Sequence, residues 1–332
     1  MAFIKKLVVT GVIVSIAAVA GFSYWAKSPL TTDGPAIDFT IDPGVGVGVA
    51  TQQMVKAGVP VNPQLFNILA RVTGEAGRIK AGSYELKPNT TPRNLLRQLV
   101  RGEFAQEAVT IVEGWTFKQM RTALAAHERL RHDTVKLSDD ELMRKISSEY
   151  TNPEGLFFPD TYLFAKGSSE LAIYKQAHQA MLNHLKAAWE TRDPSLPYKN
   201  PYEALIMASI IEKETGQKSE RGMIAGVFVN RLRTGMMLQT DPAVIYGMGE
   251  RFGGDIRKKD LQTDTPYNTY TRTGLPPTPI SLPGVQSLAA ALAPAKTQAL
   301  YFVSRGDGTS HFSENLNEHN RAVNQYQRRT GK

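Results

Sequence analysis

The sequence predicts an α+β protein with one N-terminal transmembrane helix, a small α+β module, and a larger mixed α/β domain organised around a buried helix. Three observations predict it. The run at 7–26 is uncharged and close to the roughly 20 apolar residues that cross a bilayer as a helix. Between residues 79 and 119 a strand-like segment, a turn and a capped helix follow one another twice. The stretch ALIMASII at 204–211 is apolar almost all round, so its helix belongs inside a core rather than on a surface.

The bulk properties agree with this plan and exclude several classes of function. At 332 residues the chain is long enough for two folded units. Its 42% hydrophobic and 21% charged residues form an ordinary globular mixture, which argues against widespread disorder. A net charge of +8 favours an anionic neighbourhood such as a membrane surface or an acidic polymer. No Lys/Arg-rich tract and no zinc-like Cys/His spacing supports nucleic-acid binding. The complete lack of cysteine removes disulfides, thiol catalysis and a lipidated N-terminal cysteine. No nucleophile elbow, phosphate loop or metalloprotease motif occurs, which leaves esterase, nucleotide-dependent and zinc-peptidase readings without support.

The elements follow in order. Lys5 and Lys6 precede the apolar run and Lys27 closes it, which predicts residues 1–6 in the cytoplasm, a transmembrane anchor at 7–26, and everything later outside the membrane. Phe22, Tyr24 and Trp25 fall where an interfacial aromatic belt lies. Ala18-Val19-Ala20 also fits a signal-peptide cleavage site, but the apolar run continues past it to spanning length. Residues 27–36, rich in Pro, Thr, Asp and Gly, read as a tether.

Folding is expected to begin near Ile37, with a small module over 37–150. Residues 79–86 alternate as a strand, Pro88-Asn89 turns, and Thr91-Pro92 starts a helix with Leu95, Leu96 and Leu99 on one stripe and Gly102 at its end. A second strand at 108–112 leads to a capping box formed by Thr116 and Gln119, and Ser138 with Glu141 signals a third helix start.

The larger domain is expected over 151–332. NPEGLFFPDTYLF at 152–164 gathers Gly, two prolines and four aromatics around Glu154 and Asp160, and reads equally well as a hydrophobic hinge or a cleft wall. A scaffold helix follows at 170–191, with Ile173, Ala177, Met181 and Leu185 on one face. Asn200-Pro201-Tyr202-Glu203 then combines an N-cap, a proline at the first helical position and an acid three places after the cap. This start leads into ALIMASII and delivers Glu212-Lys213-Glu214-Thr215, with Gly216 as the expected C′ residue.

Both glutamates thus lie in a last turn, where the helix dipole disfavours their ionised forms. Met207, Ile210 and Ile211 share a face with Glu214 and push the same way by desolvation. A carboxyl that stays protonated near neutrality is what a glycosidic general acid requires. Glu212 and Glu214 are two apart and point to roughly opposite sides, so one is expected to face a cleft and the other to be structural.

A helix at about 220–233 ends at Gly235, and the densest polar and aromatic stretch follows at 238–249 and 266–280. Such mixtures suit sugars, because aromatic faces stack on pyranose rings while amides and hydroxyls read the ring hydroxyls. His311 and His319 lack the spacing of a zinc site and are expected in loop packing or at a polar cleft rim.

The strings IIEKETG, FVNRLRTGMMLQTDPAVIYGMG, YNTYTRTGLPPTPI and EGLFFPDTY together resemble the endolytic murein transglycosylase family, also called MltG or YceG-like, from about residue 152 to the C-terminus. GSYELKPNTTPRNLLRQLVRG at 82–102 resembles a LysM-like unit, although a plain βα packing unit explains it as well.

The family resemblance implies Glu214 as the catalytic acid, with Thr215 beside it, while Gln239, Asp241, Tyr267, Asn268, Tyr270 and Glu154 are substrate-binding candidates by the composition of their segments. It implies peptidoglycan glycan strands as substrate, an inner-membrane position with the catalytic part outside, and peptidoglycan synthases as potential partners. The reaction it implies cleaves the MurNAc–GlcNAc bond and leaves 1,6-anhydro ends, with no metal or organic cofactor. The alternatives are a hydrolytic muramidase using Asp241, Asp264 or Glu250 as second carboxylate, and a non-catalytic wall-binding scaffold.

Overall fold

The computed structural model describes residues 2–30 and 34–328 and divides into two compact units, one of Met1–Ala108 with Leu163–Ser168 and one of Val109–Tyr162 with Ser169–Lys332. Residues 109–150, which the sequence reading groups with the small module, therefore cluster with the second unit. The expected tether at 27–36 includes residues 31–33, which lie outside the described residues.

The first unit contains α1 (Ala2–Lys27), β1 (Ile37–Ile41), α2 (Val47–Lys56), α3 (Pro63–Val72), β2 (Gly82–Leu86) and α4 (Pro92–Arg101). In α1, residues 4–27 form the one helix among those described that is long and apolar enough to cross a membrane. Strands β1 and β2 pair antiparallel, from Ile37 opposite Leu86 to Ile41 opposite Gly82. Their inward residues Phe39, Ile41, Tyr84 and Leu86 pack with Met54, Phe66, Leu69, Leu95, Leu96 and Leu99 in one core. Tyr84 is fully buried, so its hydroxyl needs an acceptor and donates to the Lys80 carbonyl at 2.7 Å. The local signals act as expected: Thr91 caps α4 through the Asn94 amide, Pro92 sits at its first position, and Gly102 ends it with φ +72.

Strand β3 (Gln106–Thr110) pairs with β4 (Thr161–Ala165), and the boundary between the units falls inside both strands. The second unit continues with α5 (Phe117–Ala125), α6 (Asp139–Ile146), α7 (Glu170–Glu190), α8 (Pro201–Glu214), α9 (Arg221–Arg233), α10 (Asp241–Met248), α11 (Lys258–Gln262) and α12 (Val285–Leu292). It ends with the antiparallel pair β5 (Tyr301–Ser304) and β6 (Ser310–Ser313), then α13 (Leu316–Val323). Both capping boxes read from the sequence form, at Thr116 with Gln119 and at Ser138 with Glu141.

Helix α8 is the axis of this unit. All eight residues from Ala204 to Ile211 are buried, and α7, α9, α10 and α12 pack against the helix. Glu154, Leu156, Phe157 and Phe158 are buried within the same unit. Gly155 has φ +79, and a Cβ there would lie 2.4 Å from Pro279, so both backbone and space require glycine.

Candidate active site

The site begins with how α8 is fixed at each end. Asn200 Oδ1 accepts the Glu203 amide at 3.0 Å, and Glu203 Oε2 accepts the Lys199 amide at 2.7 Å. Midway, Ser209 Oγ accepts the Ile280 amide at 2.9 Å while the Ser209 carbonyl accepts Ser281 Oγ at 3.1 Å, tying the helix to the segment after the proline-rich loop.

In the last turn the two glutamates separate. Glu212 accepts Arg221 Nη2 at 2.9 Å and the Gly284 amide at 2.9 Å, with its side chain 5% exposed and that of Arg221 6% exposed. Glu214 turns instead into a cleft of about 920 Å³. The helix ends through Thr215 in extended backbone (φ −144, ψ 132), and Gly216 does not take the left-handed conformation expected of it. Thr215 Oγ1 accepts the Gln217 amide at 2.9 Å, so side-chain capping of the next turn replaces the glycine stop.

Around Glu214 the cleft wall includes Thr215, Arg231, Gln239, Asp241, Tyr270, Tyr301 and His319. The Thr240 hydroxyl donates to Glu214 Oε1. Thr240 is itself held by Thr269, whose Oγ1 accepts the Thr240 amide at 2.9 Å and donates to its carbonyl at 3.2 Å. Burial pushes the Glu214 carboxyl up to about 7, the Thr240 hydrogen bond and Arg231 oppose the rise, and the negative charge of Asp241 adds to it.

Gln239 has φ +50, an uncommon conformation for a residue with a Cβ, and is kept there by its amide bond to the Thr269 carbonyl at 3.0 Å. Tyr270 donates its hydroxyl to Asp241 Oδ1 at 2.6 Å, so Asp241 reaches the cleft already engaged.

The family pattern for YceG-like proteins matches residues 39–325, which contain Glu214 and all of the cleft wall but Gln327. The chain belongs to the YceG-like family. The endolytic murein transglycosylase of Bacillus subtilis (strain 168) is 32% identical over 310 residues, spanning 87% of this chain and 84% of its own length. That of Streptococcus pneumoniae serotype 2 (strain D39 / NCTC 7466) is 28% identical over 360 residues, spanning 97% of this chain and 64% of its own. A crystal structure of a YceG-like protein from Listeria monocytogenes matches with a TM-score of 0.55 and 30% identity, covering 86% of this chain and 98% of that one.

In this YceG-like chain the cleft gathers Glu214, Thr215, Gln239, Asp241 and Tyr270 of the residues expected from sequence, and leaves three outside its wall. Glu154 is 4% exposed, and its oxygens accept the Phe117 amide at 3.0 and 3.2 Å and the Tyr246 hydroxyl at 3.1 Å. It serves the first turn of α5. Asn268 donates to the carbonyls of Asp260, Leu261 and Thr263 and accepts the Tyr270 amide at 2.9 Å, which makes it a staple of its loop. Tyr267 meets Thr278 Oγ1 at 2.8 Å and packs edge-on against Tyr246.

Sequence reasoning missed Arg231, Thr240 and the Tyr301–Ser304 side of the wall, while the cleft rim expected of a C-terminal histidine is met at His319. His319 lines the cleft, stacked on Tyr301 with centroids 5.2 Å apart, whereas His311 packs against Tyr326. The wall had a readable signal, since YFVS and SHFS flank a Gly-Asp-Gly turn and form the β5–β6 pair.

Proposed function

We propose that this chain is a membrane-anchored lytic murein transglycosylase in which Glu214 is the acid and base. The observation that carries the reading is a carboxyl held protonated up to about pH 7 and turned into a large polar cleft, beside a helix-end partner that is fully engaged elsewhere. The names of the two curated relatives support the same reaction class.

Glu214 gives its proton to the glycosidic oxygen between MurNAc and GlcNAc as the C1–O bond breaks. The C6 hydroxyl of the same MurNAc then bonds to C1, and its proton returns to the Glu214 carboxylate, leaving a 1,6-anhydro end with no net consumption of water. Attack from within the same sugar has a high effective concentration, so a second carboxylate is not required. Thr240 holds Oε1, which leaves Oε2 to handle the proton.

One observation favours a second reading. Asp241 lines the same cleft, so a hydrolytic muramidase with Asp241 as second carboxylate is the competing mechanism. Asp264 and Glu250 have weaker claims, because Asp264 is engaged by Arg272 at 2.8 Å and Glu250 by Lys118, both at exposed positions.

Residues 7–26 are read as the anchor, with 1–6 in the cytoplasm and the cleft outside the membrane, where peptidoglycan synthases release new strands. The strand, turn and helix at 82–102 are read as a LysM-like unit.

Mass analysis of peptidoglycan digested by the protein decides between the two reactions. Transglycosylation gives muramic ends lighter by one water than the reducing ends of hydrolysis. Loss of both products in Glu214→Gln with its fold intact is the expected result, whereas retained cleavage would remove Glu214 from the mechanism.

A further inference from the structure

Arg231 stands in the cleft wall as a cation with no ion pair among the described residues. It is 6% exposed on α9, and the backbone holds its guanidinium: Nε donates to the Leu300 carbonyl at 2.6 Å and Nη1 to those of Leu238 at 2.8 Å and Met237 at 3.3 Å. The further contacts, to Gln239 Oε1 at 3.5 Å and to the face of the Tyr301 ring 5.2 Å from Cζ, are also with neutral groups. Among the described residues no carboxylate lies within 4.0 Å of this guanidinium, and Nη2 has no hydrogen-bond partner.

A buried charge that neutral carbonyls only orient is strongly unfavourable unless something anionic completes it. Glu214 cannot fill that role while it carries the proton it must donate. Nor does a fixed cation suit the reacting ring, which gains positive charge in the transition state of glycosidic cleavage. With Nε and Nη1 spent on carbonyls, the N–H groups of Nη2 are what remains to receive a carboxylate oxygen, on a guanidinium fixed in advance by α9 and the carbonyls of Met237, Leu238 and Leu300.

We propose that Arg231 receives a carboxylate of the substrate strand and so selects glycan that carries one beside the scissile bond. The identity of the strand rests on the function proposed above. Two parts of peptidoglycan supply the chemistry: the lactyl group of a muramyl residue stripped of its peptide, and the carboxylates of an attached stem peptide.

Binding tests this separately from catalysis. The full chain in detergent, carrying Glu214→Gln so that strands stay intact, is titrated with end-labelled peptide-free strands and with peptide-bearing strands. Each is compared with the same strand after its carboxylates are converted to methyl amides. Amidation is expected to weaken binding at least about tenfold in one pair, and the pair that responds names the source of the carboxylate. Equal affinities within both pairs would overturn the proposal.

Adding Arg231→Gln is expected to abolish the difference, and Arg231→Lys to keep part of it. Undiminished discrimination in a folded Arg231→Gln protein would also overturn the assignment. A role confined to bracing the loop would weaken all strands alike. The cleavage assay on the unmutated protein decides the catalytic reading independently, so failure of one conclusion is separable from failure of the other.

Discussion

Glu154, in the loop after α6, and Glu214, at the end of α8, are both pushed up to about 7, and in both burial is the largest cause. Their surroundings differ. Both oxygens of Glu154 are consumed by the Phe117 amide, and one also by the Tyr246 hydroxyl, in a place outside the cleft wall. Glu214 has the Thr240 hydroxyl on one oxygen and the cleft before it. A raised pKa therefore reports lost water, and the unoccupied oxygen is what would let Glu214 react where Glu154 is held.

The sharpest way to break this comparison is to change each carboxyl to its amide. Glu214→Gln is expected to lower strand cleavage by roughly 10³-fold or more, the scale of losing a positioned general acid, while Glu154→Gln stays within about threefold of the unmutated protein. Initial rates of product release check both, and similar losses would mean that the open oxygen is not the deciding difference.

Next in size is the partner of the other helix-end glutamate. Arg221→Met leaves Glu212 buried without its cation and is expected to cost about 3 kcal/mol of stability in urea unfolding. A change near zero would show that the pair is not what secures the last turn of α8.

Thr240→Val tests the one bond Glu214 does have. It is expected to lower kcat/KM about tenfold, the effect of one lost hydrogen bond to a charged group. It should also move the falling limb of the pH profile to higher pH, because that bond holds the pKa of Glu214 down. Thr240→Ser should restore both. In the unmutated protein this limb is expected near pH 7, since the acid must be protonated to act.

A separate expected effect is on stability against pH. Both carboxyls hold protons in the folded state that the unfolded chain gives up near its ordinary value of 4.5, so their contribution is complete below that pH and is lost as pH rises to about 7. Glu154→Gln should flatten roughly half of that slope, read from melting temperatures at pH 5 and pH 8.

Local chemistry made much of the fold legible. The Asn200-Pro201 start of α8, the Thr91-Pro92 start of α4, both capping boxes and the Gly102 stop act within a few residues of themselves, and each has the geometry its sequence announces. Pairings between distant segments were not legible, such as β1 with β2 across some forty residues of intervening chain. The same limit governs the cleft. Gln239, Asp241 and Tyr270 stood out by composition, but Asn268 and Tyr267 share that composition and spend their polar groups on their own loop. Arg231 looked like one more cation near a helix end, and only the carbonyls of Leu238 and Leu300 distinguish it.

Helix α1 has a further consequence for where this chain can be cut. Ala26, near the end of α1, is 6% exposed and belongs to the core of the first unit, with Phe22 and Trp25 packed against the same cluster. At roughly 1.5 Å per residue, this last turn and a half is a foot built into the folded body rather than slack rope above the bilayer. A protease cutting after Lys27, or a soluble version begun there, would remove side chains that the first unit uses as interior. Cutting after Lys27 would thus be expected to loosen that unit, and a shortened chain that begins before Phe22 should keep its shape.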